Sequence, residues 1–414
     1  MPGTALATVT RVNAARRRRV WLVAAASVVI AVVLFSTARL TAARYHDDSL
    51  WANALASLGG TQKPGDFGYV FLSAANEILA GRDPYMDPDD FKGPPQAPYA
   101  YPPVLALLVT PLALLPEHVH GIFVPGALFI LMLIAATIAG LWLLDVHDWR
   151  CYPIALLAPV TLEGFEYGAI GPALLLLIAL AWRYRDRVPI AAAASGGAVV
   201  LKLFLWPLLI WLVLTRRIRT AVAAAVMAVG LALASWVVIG FGGIGEYPRL
   251  LRRLSDVEAE NSYSVFAILR TLGISETVAR LLVVALGVLV LALAWRAARS
   301  RALSELERDR RSLTLILAAA LVLTPILWLH YLVLLYVPIA LARPRLSALW
   351  FTPLALTVFE ALNWYRGWPA GDGKALASVA ACTAIVFVGA LWPVGRIRSP
   401  EKAAAPAGIG WPDH

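Results

Sequence analysis

Three side chains could do chemistry because of where they stand in an otherwise apolar chain. Asp66 lies in Pro64-Gly65-Asp66-Phe67-Gly68, at the head of a stretch in which Phe67, Val70, Phe71, Ala74, Ala75, Ile78 and Leu79 recur at helical spacing. A carboxylate beside a membrane, in a site that excludes water, can take a proton from a hydroxyl as a general base. Asp is also a preferred N-cap, so capping is its ordinary role. Lys202 sits in Val199-Val200-Leu201-Lys202-Leu203-Phe204-Leu205-Trp206-Pro207, apolar on both sides. A cation there is expensive and suits neutralising a phosphate, while snorkelling to the interface is its plain alternative. His330 follows Pro325 in Thr324-Pro325-Ile326-Leu327-Trp328-Leu329-His330. It could bind phosphate, donate a proton, or merely hydrogen-bond within a bundle.

Other polar groups carry weaker signals. Glu163 and Glu166 are three apart and share a helical face, which suits acid–base work, an ion site or an ordinary loop between short spans. Asn261-Ser262-Tyr263 follows the acidic run of residues 256–260 and could hydrogen-bond a sugar or simply form a solvated loop. Arg249, Arg252 and Arg253 could receive a lipid phosphate or pair with nearby acids. Glu117-His118-Val119-His120 offers two histidines at i, i+2 without further ligands, a poor metal signal. Cys151 and Cys382 lie far apart and make neither a disulfide framework nor a metal site. No phosphate-binding loop, H-E-x-x-H or dinucleotide fingerprint occurs, which removes support for ATP-driven transport and zinc proteolysis.

The elements that must position these groups belong to a membrane protein. Of 414 residues 60% are hydrophobic and only 15% charged, with mean hydropathy +0.72. A water-soluble globule has nearer a quarter charged residues. The apolar runs leave room for about 10–12 spans of roughly 20 residues, several of them short or broken. The net charge of +10, from 36 Lys+Arg against 26 Asp+Glu, reflects cytoplasmic loops and not nucleic-acid binding.

Topology follows from the arginines. Arg16 to Arg19 precede an apolar run over residues 20–38 that is too long for a cleavable signal and reads as a signal anchor. Residues 1–19 are therefore expected in the cytoplasm, 44–100 in a first outer loop, and 398–414 in a disordered cytoplasmic tail. The basic clusters at 183–187, 216–219, 296–311, 343–345 and 396–398 mark further cytoplasmic turns. Each interval between them must leave and return. Residues 188–215 are too few for two full spans, so a pair of short helices must turn near Lys202. Residues 312–342 must turn likewise near 324–330. Residues 220–295 hold two full spans around an outer loop at 242–275, and 346–394 turn outside near 363–374. Between Tyr101 and Trp182 there are four apolar segments where an odd number of crossings is required, so one does not cross. Broken helices of this kind line sites in membrane enzymes and transporters. The amphipathic stretch from Phe67 to Leu79 reads as a helix on the membrane surface, capped by Asp66.

The order of these features resembles glycosyltransferase family 87, the polyprenyl-phosphate-mannose-dependent mannosyltransferases of the GT-C superfamily. The resemblance is carried by Asp66, Gly81-Arg82-Asp83-Pro84-Tyr85, Tyr101-Pro102-Pro103, Pro111-Leu112-Ala113-Leu114-Leu115-Pro116, Lys202-Leu203-Phe204-Leu205-Trp206-Pro207, Thr215-Arg216-Arg217, and residues 323–331 around Pro325 and His330. It implies an all-α polytopic GT-C-type bundle within residues 20–397, in the plasma membrane, with its site on the extracytoplasmic side. It implies transfer of a sugar, mannose being the family's usual one, from a polyprenyl phosphate to a lipid-linked or glycan acceptor. Asp66 is then the catalytic aspartate, and Lys202 and His330 line the donor phosphate. Tyr101, Glu166, Asn261, Ser262 and Arg253 are the further substrate-side residues expected. Asp66 is followed by Phe67-Gly68 and not by a second acid, so no obligatory metal and no cofactor is expected. A transporter or flippase for a lipid-linked sugar or ion-coupled solute is the competing class, though the two halves of the chain show no convincing repeat.

Overall fold

The computed structural model describes residues 65–93, 97–356 and 373–392. The basic N-terminus, the signal anchor, most of the 363–374 turn and the tail lie outside the described residues. A π-helical segment, Gly65–Phe71, runs into α1 (Leu72–Leu79). Then follow α2 (Pro103–Ala113), a two-strand hairpin of β1 (His118–Val119) and β2 (Ile122–Phe123), α3 (Val124–Leu143), α4 (Cys151–Leu157), α5 (Pro159–Tyr167) and α6 (Gly171–Arg183). The middle of the chain holds α7 (Val188–Leu201), α8 (Pro207–Leu214), α9 (Ile218–Val238), α10 (Glu246–Glu258), α11 (Val265–Thr271) and α12 (Glu276–Arg299). α13 (Glu305–Leu323), a 3₁₀ segment Leu329–Leu335, α14 (Tyr336–Ala342), α15 (Phe351–Leu354) and α16 (Gly373–Leu391) complete it. The protein is an all-α polytopic membrane protein. Among the described residues α3, α9, α12 and α16 are long and apolar enough to cross a bilayer, and α5 with α6 forms one further, bent candidate.

The breaks have local causes. α7 stops at Lys202, whose backbone is extended at φ −147°, ψ 103°, and α8 starts only at Pro207, which lacks the N–H to continue a helix. α13 stops at Thr324 in extended backbone ahead of Pro325. α5 ends on Gly168 at φ +63°, the left-handed C-cap that glycine adopts without strain, with Ala169 N–H donating to the Gly164 carbonyl. Pro172 opens α6, and the axes of α5 and α6 differ by 117°.

The basic turns converge at one end. Asp309 near the start of α13 pairs with Arg185 after α6 at 3.1 Å and with Arg217 ahead of α9 at 2.9 Å. The turn after α3 joins the same end, through Asp145 to Arg183 at 3.1 Å and through Asp148 Oδ2, which accepts from the Leu346 N–H. α7 and α8 thus leave this end and return to it, as do α13 and α14.

The same bookkeeping identifies the segment that does not cross. α2 begins just after Tyr101, which touches Lys202 at the far end. Phe123, just before α3, holds its ring tilted 6.4 Å from that of Phe67, next to Asp66. Both flanks of α2 therefore lie at the end where α7 breaks, and 11 residues of helix reach only about 16 Å. α3 leads from this end to the basic turns, α4 and α5 lead back toward His330, and α6 returns to Arg183.

Two expectations change. Gly65 already belongs to the helix, so Asp66 sits in its first turn and is not the N-cap. The apolar stripe of the π segment and α1 is covered by protein: Phe67 stacks on Phe129 at 4.4 Å, and Phe71 meets Tyr101 edge-on at 5.2 Å. Tyr69 and Leu79 form its exposed side.

Candidate active site

The π segment, the α5–α6 bend, the break at Lys202 and the break after Thr324 come together at the end opposite the arginine turns. Asp66 is half-buried and within electrostatic reach of His330, Lys202 and Glu163. Desolvation by the surrounding side chains pushes its carboxyl above the usual carboxylate range. His330 and Lys202 oppose that shift, and Glu163 adds to it. Such a carboxylate is a better base than a solvated one. Gly65 permits the approach of this segment to α5, because a Cβ there would stand 2.6 Å from Tyr167 Cδ1.

Lys202 is held by two tyrosines. Its Nζ donates to Tyr101 Oη at 2.8 Å and lies 4.1 Å from the Tyr101 ring centroid and 4.8 Å from that of Tyr331. Cation–π attraction holds an ammonium without neutralising it, so the charge stays available to an anion. Tyr101 is in turn fixed by its neighbours. Tyr85 Oη donates to its carbonyl at 2.8 Å, and Tyr99 Oη donates to the Pro102 carbonyl at 2.7 Å. Leu203 and Trp206, on either side of Phe204, are exposed apolar side chains beside the lysine.

His330 is buried, with Tyr331 edge-on at 4.5 Å and the Tyr167 ring at 6.3 Å. Its Nδ1 lies 3.2 Å from Glu163 Oε2 of α5. Gly171 at the head of α6 allows this packing, because a Cβ there would stand 2.6 Å from the His330 carbonyl oxygen.

The remaining expected residues are placed differently. Glu166 is half-buried one turn after Glu163. Ser262 is fully buried and donates to the Ala259 carbonyl at 2.9 Å, and Asn261 donates to the Val257 carbonyl at 3.3 Å. Both shape the turn before α11, which docks on the second break through Tyr263 N–H to the Leu327 carbonyl at 2.8 Å. Arg253 is exposed on α10 and donates to the Phe91 carbonyl at 3.5 Å. His118 and His120 lie in the exposed hairpin, and no three His, Cys, Asp or Glu side chains converge to hold a metal among the described residues. Tyr331 and the Glu163–His330 contact escape sequence reasoning. Their one local trace is that a tyrosine follows the histidine and an acid precedes the Gly168 break.

The polytopic helical bundle thus brings an acid, a lysine held between two tyrosines and a histidine into one region. Residues 99–325 match the model of glycosyltransferase family 87, more than half of the chain, and the chain belongs to that family. It is a membrane glycosyltransferase. A relative in Mycolicibacterium smegmatis (strain ATCC 700084 / mc(2)155) is a polyprenol-phosphate-mannose-dependent alpha-(1-2)-phosphatidylinositol mannoside mannosyltransferase. It is 28% identical over 332 residues, which cover 71% of this chain and 75% of the relative. No solved structure matches. The family membership takes away the footing of the transporter alternative.

Proposed function

We propose that this enzyme transfers mannose from a polyprenyl-phosphate donor to a lipid-linked or glycan acceptor, with inversion to an α-product, at the outer face of the plasma membrane. The observation that carries the reading is the convergence of Asp66, in the first turn of the π segment, with Lys202 and His330 from two separate helix breaks. The relative's name supports the donor, and supports a phosphatidylinositol mannoside as the kind of acceptor. The outer placement rests on the positive-inside rule, because the arginine turns gather at the end away from the site.

In this mechanism the donor's prenyl chain lies against the apolar surface near Leu203 and Trp206, and its phosphate meets Lys202. Asp66 takes the proton from an acceptor hydroxyl. The hydroxyl oxygen attacks the anomeric carbon from the face opposite the phosphate, and the bond to the phosphate oxygen breaks with its electron pair. Lys202 and His330 stabilise the negative charge that develops on the departing polyprenyl phosphate. One displacement inverts the anomeric centre, so a β-linked donor yields an α-product. These side chains supply both proton removal and charge stabilisation, and the reading assigns no step to a metal or cofactor.

The test is transfer of radiolabelled mannose from polyprenyl-phosphate-mannose to an envelope lipid extract by purified protein. Asp66→Asn is expected to lower the rate by about 10²–10⁴-fold, the usual weight of a general base. Wild-type rates in that variant would remove Asp66 from the mechanism.

A further inference from the structure

Glu163 and His330 face each other across the contact between α5 and the 3₁₀ segment. Glu163 Oε2 and both imidazole nitrogens are buried without an aligned hydrogen bond, although Oε2 and Nδ1 are 3.2 Å apart. A buried carboxylate oxygen and a buried imidazole nitrogen are each costly alone. A small rotation of the ring turns their contact into a charge-assisted bond. That bond places a proton on Nδ1 and fixes the ring, which leaves Nε2 as the nitrogen free to meet another group. His330 and Glu163 both lie within electrostatic reach of Asp66, so the pair borders the site.

We infer that Glu163 is a positioning residue for His330, orienting the imidazole toward the phosphate of the polyprenyl donor. The inference rests on the donor reading above and assigns Glu163 no contact with substrate. Helix packing follows from the same idea. Gly164 has His330 Cβ 3.7 Å from where its own Cβ would lie, and a Cβ on Gly171 would stand 2.6 Å from the His330 carbonyl oxygen, so both helices pack closely on the His330 backbone.

The experiment measures binding of polyprenyl phosphate itself to the detergent-solubilised full-length protein, which requires neither the correct sugar nor an acceptor. Wild type is compared with Glu163→Gln, His330→Gln and the double variant, with thermal midpoints recorded for each. Glu163→Gln is expected to weaken binding about tenfold, the weight of one charge-assisted hydrogen bond. The same change made on the His330→Gln background is expected to have no further effect, because Glu163 acts only through the imidazole. Glu163→Asp, which keeps the charge on a shorter arm, should recover part of the loss. Unchanged binding in Glu163→Gln, or losses that add in the double variant, would overturn the positioning role while leaving the donor reading intact. A wild-type protein that does not bind polyprenyl phosphate would overturn the donor reading, and this inference with it.

Discussion

Asp66 shows how one side chain is set by its surroundings. Its ionised form is disfavoured by desolvation, so the charge costs the folded state once the pH rises above the folded carboxyl's raised pKa. The stability carried by the neutral acid is present below the ordinary carboxylate pKa of about 3.9 and is lost as pH climbs through the raised one. Asp66→Asn is therefore expected to melt higher than wild type at neutral pH, with the gap closing in acid, as thermal scans in detergent across pH can show. A lower neutral melting point would mean that the carboxylate is structurally required. The Lys202 box makes a second prediction. Tyr101→Leu removes a ring and a hydroxyl from the ammonium and should raise the donor KM roughly tenfold, with Tyr101→Phe losing less. Initial rates over a range of donor concentration decide this, and equal KM values in all three proteins would dissociate the tyrosine from donor binding. Asp66, Lys202 and His330 were legible in the sequence because a charged or titratable group inside apolar sequence is rare and costly. Tyr331 and the Glu163 contact were not, because both are pairings between segments far apart in the chain.

At the scale of elements, the site exists because helices stop early. Lys202 and Pro207, Thr324 and Pro325, and Gly168 and Pro172 end or bend their helices for reasons contained in a few residues of backbone chemistry. That is why the breaks near 202 and 324–330 could be placed from spacing alone. The role of α2 could not, because 11 apolar residues look the same whether they start a span or turn back. Gly171 tests how tightly the α5–α6 bend grips the second break. A methyl there would press on the His330 carbonyl, so Gly171→Ala should destabilise the protein by about 1–3 kcal/mol and slow transfer. Gly197→Ala is the control, since its Cβ would meet only Leu177 at 3.9 Å. Melting points and transfer rates of the two variants provide the check, and equal behaviour would mean that the bend yields without cost.

The whole molecule is polarised. One end collects Arg185, Arg217 and Asp309 from three separate turns, and the other collects the site. Asp309 is buried, donates nothing, and accepts from both arginines, while its backbone carbonyl accepts from Trp211 Nε1 at 3.3 Å. Removing the acid leaves Arg185 without its carboxylate and Arg217 with only the exposed Asp186, at 2.7 Å. Asp309→Ala is expected to cost about 3–5 kcal/mol, seen as a lower melting point and poor recovery from detergent, with binding of polyprenyl phosphate retained by whatever folds. A variant as stable as wild type would mean that water reaches this cluster freely.

Hydropathy, arginine placement and the proline and glycine breaks determined that this chain is a broken-helix membrane bundle, because each depends on local transfer energy or on local backbone donors. Only the tertiary structure decided that α2 does not cross, that Asp66 is inside its helix, that α1 is covered by protein, and that Lys202 lies between two tyrosines. It also turned Ser262 and Asn261 toward their own loop and Arg253 toward Phe91. Those outcomes depend on which surfaces pack together, and packing partners distant in sequence leave no periodicity or composition by which to find them.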